Sequence, residues 1–93
     1  MIRSFRSKSL KRLWTKGDAS AIRPDWLNKV TALLTALDQA GRPKELEDVG
    51  GFHALKGNQA GPFAITVSRN WRLTFGWEDE DAVDVDLEDY HGS

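Results

Sequence analysis

The hydrophobic period changes once along this chain, from helical spacing to strict alternation, and that change limits the folds open to it. Trp26, Leu27, Val30, Leu33, Leu34 and Leu37 recur at the i, i+3, i+4 spacing of one helix face. From residue 63 the period is two. Phe63, Ile65 and Val67 alternate with Ala64, Thr66 and Ser68, and Trp71, Leu73, Phe75 and Trp77 with Arg72, Thr74, Gly76 and Glu78. After an acidic hairpin tip at Glu78–Asp81, Val83, Val85 and Leu87 alternate with Asp84, Asp86 and Glu88. Helices followed by half-buried strands specify an α+β domain.

Local signals fill in the rest. Leu10, Leu13 and Trp14 mark a first helix that Ser7 or Ser9 can cap and Gly17 can stop. Pro24 suits the first turn of the second helix, Asp25 complements its positive end, and Gly41 and Pro43 end it. Ile2–Phe5 reads as a short first or edge strand. Residues 42–62, rich in Gly and Pro, read as loop with one helical turn at Lys44–Asp48, and Arg69–Asn70 as a turn pair. The expected architecture is a single domain over 1–93. Two N-terminal helices pack on one face of a small, mainly antiparallel sheet, which has a short first strand and then a C-terminal three-strand meander.

The chain has no cysteine, which excludes a disulfide framework, a thiolate nucleophile and Cys-ligated zinc or iron–sulfur sites. No apolar run approaches the ~18 residues of a membrane span, and Met1–Arg12 lacks the apolar stretch of a secretory signal, so a cytoplasmic protein is expected. The net charge of −1 conceals a separation. Residues 1–16 carry Arg3, Arg6, Lys8, Lys11, Arg12 and Lys16 without an acid. Residues 76–93 carry Glu78, Asp79, Glu80, Asp81, Asp84, Asp86, Glu88 and Asp89 without Lys or Arg. Such separation fits either a face for a polyanion or two chain ends that neutralise one another.

Two histidines stand where strands run into loops: His53 in Gly51-Phe52-His53-Ala54-Leu55-Lys56-Gly57, and His91 in Glu88-Asp89-Tyr90-His91. Imidazole transfers protons in both directions near neutral pH. Between them, Ser68-Arg69-Asn70-Trp71-Arg72 supplies two guanidinium groups and an amide. Cleaving RNA requires a base for the 2′-hydroxyl, an acid for the leaving 5′-oxygen and cations against the phosphoryl oxygens. His53, Asp89, Tyr90 and His91 are candidate proton handlers, and Lys56, Arg69 and Arg72 candidate phosphate clamps. In the bland alternative the arginines merely pair with the acidic last strand and the histidines are solvated. The four tryptophans fit the apolar stripes and are assigned to the core. His53, His91 and Asp89 lack local ligand spacing, so neither a metal site nor a cofactor is expected.

Ile2-Arg3-Ser4-Phe5, Leu10-Lys11-Arg12-Leu13-Trp14, the Phe52-His53-Ala54-Leu55-Lys56-Gly57 loop, the run Val67–Phe75 and the ending Asp84–His91 together resemble a HigB-type toxin of the RelE/ParE superfamily. The likeness runs along nearly the whole chain, and the Asp-Tyr-His ending combined with His-x-x-Lys-Gly is its most specific part. It implies the killer half of a bacterial toxin–antitoxin module. Such a protein is a ribosome-dependent endoribonuclease that cuts mRNA in the A site of the small subunit. It is a monomer alone and is held inactive in a hetero-oligomer with a helix-turn-helix, HigA-type antitoxin. The resemblance points to His53, Asp89, Tyr90 and His91 as the cleavage group, with Asn70 beside it and Lys56 and Arg72 near the phosphates, Arg69 adjoining. The chain's far end then has to fold back so that His91 faces His53. Toxins of this kind tend to be basic, whereas this chain has pI ≈ 6.1. The cationic N-terminal segment and the Lys56, Arg69 and Arg72 group are therefore expected to form the ribosomal face, with the acidic tip pointing away. Two other classes stay open: a ParE-like poison of DNA gyrase without nuclease chemistry, and a non-catalytic interaction domain.

Overall fold

Helix α1, Lys8–Lys16, is delimited by local chemistry at both ends. The Ser7 hydroxyl accepts from the Leu10 amide at 3.2 Å, and Gly17 closes the helix in the left-handed conformation (φ 68°). Both signals were legible in the sequence, and they satisfy amides and carbonyls that a helix end leaves without partners. Helix α2, Leu27–Gln39, is preceded by a single 3-10 turn at Pro24–Trp26 rather than including it. It ends where Ala40 turns extended, one residue ahead of Gly41. A second 3-10 turn at Pro43–Leu46 stands where one helical turn was expected. The structure is a computed structural model and describes residues 1–54 and 62–89.

Among the described residues the sheet has four antiparallel strands in the order β1 (Phe52–Ala54), β2 (Phe63–Thr66), β3 (Trp71–Glu78) and β4 (Asp81–Asp89). The meander β2–β3–β4 matches the alternation. Strand β1 lies within the stretch read as loop: three residues are too few to show a period, yet they add an edge strand to β2. Ile2–Phe5 does not form a continuous strand. It touches β4 at two isolated parallel bridges, Ile2 to Ala82 and Phe5 to Val85.

Alternation in β4 departs from the expectation at one residue. Between the pairs Thr74–Asp86 and Gly76–Val83, Phe75 faces two residues, a β-bulge, and Asp84 takes φ 53° there. The extra residue moves Ala82 onto the core face with Val85 and Leu87, and takes Val83, also buried, out of the core cluster. Leu10, Val30, Leu34 and Leu37 from the helices meet Ile65, Leu73, Phe75 and Val85 from the sheet, all at most 2% exposed. Each such side chain contributes about 1.5–3 kcal/mol of transfer free energy. Both helices thus cover one face and leave the other face of the sheet for polar side chains.

Candidate active site

Directly opposed residues share a face of a sheet. On the face away from the helices, His53, Ala64, Thr74 and Asp86 form one row, and Thr66, Arg72 and Glu88 the next. His53 is exposed and Arg72 half-buried. Thr74, 5% exposed, donates its hydroxyl to the Glu88 carboxylate, directly across from Arg72 in the ladder. Thr74 and Glu88 were not singled out in the sequence. They become candidates only once strand register is known.

The position of His53 rests on Gly51. Its carbonyl accepts from the Thr66 amide at 3.2 Å, and its φ is 85°. A Cβ at Gly51 would lie 2.9 Å from the Thr66 Cβ and 3.1 Å from the Thr66 nitrogen, so β1 closes on β2 only with glycine there. On the core side, the Phe52 and Phe63 rings stack at 5.7 Å and hold the strand down.

Arg69 and Asn70 occupy the tip of the β2–β3 hairpin. The Trp71 carbonyl accepts from the Val67 and Ser68 amides at 3.0 and 3.1 Å, and the Trp71 amide donates to Ser68 at 3.3 Å. A two-residue turn is the result, as the sequence suggested. Asp89, exposed at the end of β4, pairs with Trp71 and so shares this end of the sheet with Arg69 and Asn70. It falls in the row of Trp71 on the helix-covered face. From β1 to β4 is three strand spacings, ~14 Å in total, so the described residues do not themselves bring Asp89 to His53. Lys56, Tyr90 and His91 lie outside the described residues. The arrangement therefore offers a titratable imidazole and a guanidinium on one polar face, and an amide, a second guanidinium and a carboxylate at one end of the sheet. Among the described residues no group of three or more His, Asp or Glu side chains is placed to hold a metal ion, and no helix is long and apolar enough to cross a membrane.

Of the two readings of the charge separation, neutralisation is observed at Arg3. Its guanidinium reaches Asp81 at 2.8 Å, Glu78 at 3.1 Å and Asp79 at 3.4 Å, and the N-terminal amine lies 3.7 Å from Asp81. The acidic tip is therefore tied to the start of the cationic segment rather than set apart from it. Lys8, Lys11, Arg12 and Lys16 are exposed along one side of α1, opposite Leu10.

Residues 3–91 match the family model for HigB-like toxins, described as the RelE-like toxin of the type II toxin–antitoxin system HigB. The chain is similar to a protein of Proteus vulgaris named Endoribonuclease HigB. The two are 39% identical over 92 residues, which cover 98% of this chain and 100% of that protein. A match that spans both helices, all four strands and the His53, Arg69–Arg72 and Asp89 segments is more than a shared fold, and this chain belongs to the HigB-like family of type II toxin–antitoxin toxins.

Proposed function

We propose that this toxin is an endoribonuclease that cuts translated mRNA in the cytoplasm, at the A site on the small ribosomal subunit, and so arrests growth. In this reading a helix-turn-helix antitoxin silences it. The observation that carries the reading is near-full-length similarity to a protein named as an endoribonuclease, in a chain that keeps His53 exposed on the same polar sheet face as Arg72. Chemically, a base takes the 2′-hydroxyl proton and the 2′-oxygen attacks phosphorus. The bond to the 5′-oxygen breaks as an acid protonates it, leaving a 2′,3′-cyclic phosphate and a 5′-hydroxyl. His53, Asp89 and His91 are the proposed proton carriers, with Tyr90 and Asn70 adjoining. Arg72, Lys56 and Arg69 balance charge on the phosphoryl oxygens.

The test is expression in bacteria with mRNA 5′ ends mapped against chromosomal DNA breaks. New 5′ ends within translated frames are the expected result; DNA breaks with intact mRNA would reassign the chain to gyrase poisoning. His53→Ala, Asp89→Ala and His91→Ala should each reduce cleavage by about 10²–10⁴-fold with circular dichroism unchanged. Full toxicity in folded variants would refute the assignment. Purified protein should leave free RNA uncut while cutting mRNA on translating ribosomes.

A further inference from the structure

At the Asp89 end of the sheet, on the helix side, a hollow of about 330 Å³ opens between the start of α1, the segment before α2 and the ends of β3 and β4. Ser7, Ser9, Arg23, Trp26, Trp71 and Leu87 line it. The Trp26 and Trp71 rings, both half-buried, stand 5.3 Å apart and tilted by 51°. The Arg23 guanidinium lies 4.8 Å from the Trp26 centroid, and two hydrogen bonds to Asp25, at 3.0 and 3.3 Å, hold it. The sequence assigned these tryptophans to the core; Trp26 does pack against it, and with Trp71 it also lines an open cavity.

We propose that this hollow seats one unpaired base of the RNA substrate, where the strand rounds the Arg69–Asn70 end of the sheet; the proposal rests on the nuclease reading. Three observations favour a base over an apolar side chain. The wall joins indole faces to a guanidinium, and flat bases stack on both. The adjoining first turn of α1 carries exposed Lys8 and no acid, a cation for the RNA backbone beside the Arg23–Asp25 pair and the Asp89 carboxylate. The hollow also opens at the end of the sheet that carries Arg69, Asn70 and Asp89: Trp71 follows the Arg69–Asn70 turn and pairs with Asp89, and Leu87 lies two residues before Asp89. Its volume is at the small end of ligand pockets and suits a single ring system.

The full chain is titrated with an RNA trinucleotide, 2′-O-methylated at every ribose so that it cannot be cut, and with a version abasic at the central position, tryptophan emission reporting binding. Stacking on Trp71 predicts quenching and affinity loss of about 5–100-fold for the abasic ligand and for Trp71→Leu. Arg23→Gln, at a largely exposed side chain, keeps the fold and should weaken binding severalfold. The same variants are assayed on translated mRNA. Base-dependent binding by a wild type that cuts no RNA supports the hollow and sinks the nuclease reading. Equal binding by wild type, Arg23→Gln and Trp71→Leu, with cleavage intact, overturns the hollow alone. Protection of Trp26 and Trp71 by antitoxin, with no quenching by RNA, likewise overturns it in favour of a protein side chain.

Discussion

Asp18 follows the glycine that closes α1 and accepts from the Ser20 amide at 3.0 Å. The Ser20 hydroxyl, then the Ser20 amide, then the charges of Arg12 and Lys16 hold its carboxyl below the usual 3.8. A carboxylate with a lower pKa in the folded than in the unfolded chain adds stability above the unfolded value. That increment is lost as pH falls through the folded one. NMR titration should therefore place the Asp18 midpoint below 3.8, and Ser20→Ala should move it back up. A midpoint unchanged in Ser20→Ala would show that the residue-20 amide, with Arg12 and Lys16, suffices. At the same scale, single residues decide geometry that composition does not reveal: Gly51 admits β1 to the sheet, and Asp84 turns β4.

Strand β1 is the element on which the candidate site most depends, because it carries His53 and is only three residues long. Gly51→Ala places a side chain at φ 85° and against Thr66. A non-glycine residue in the left-handed region costs about 1–2 kcal/mol, and the contact adds to it. The variant should unfold at lower denaturant, and the Thr66 amide, which donates to Gly51, should exchange faster with solvent. Cleavage should fall by more than global stability explains, since His53 moves with β1. Unaltered exchange at Thr66 would show that the strand tolerates the extra carbon.

Over the whole molecule, the first residues of the chain lie along the last strand. The Arg3 amide donates to Ala82 at 2.8 Å, the Arg6 amide to Val85 at 2.8 Å, and the Ser4 hydroxyl accepts from the Asp84 amide at 2.9 Å. These contacts cover part of the β4 edge, which would otherwise be open to pairing with another chain. The Arg3 cluster adds an exposed ion network across the same join. Arg3→Ala should lower the melting temperature in dilute buffer, and the gap to wild type should shrink in about 1 M salt, where the screening length is ~3 Å. A gap that salt does not change would assign the effect to packing of the Arg3 side chain.

The chain's amino acids by themselves determined the class of fold, the limits of α1, the β2–β3 turn and the family. Each of these is written in short-range terms: which faces are apolar, which residue can cap, which pair can turn, which motif recurs. Strand β1, the bulge at Asp84, the Thr74–Glu88–Arg72 grouping, the indole-walled hollow and the junction of Arg3 with the acidic tip were decided by tertiary structure. Those depend on register between strands and on contacts between residues such as Ser4 and Asp84, 80 positions apart. A single left-handed residue in β4 reassigns Ala82 and Val83 between faces without changing the local pattern. Burial is legible from neighbours along the chain, whereas register is set by hydrogen bonds between segments distant in sequence.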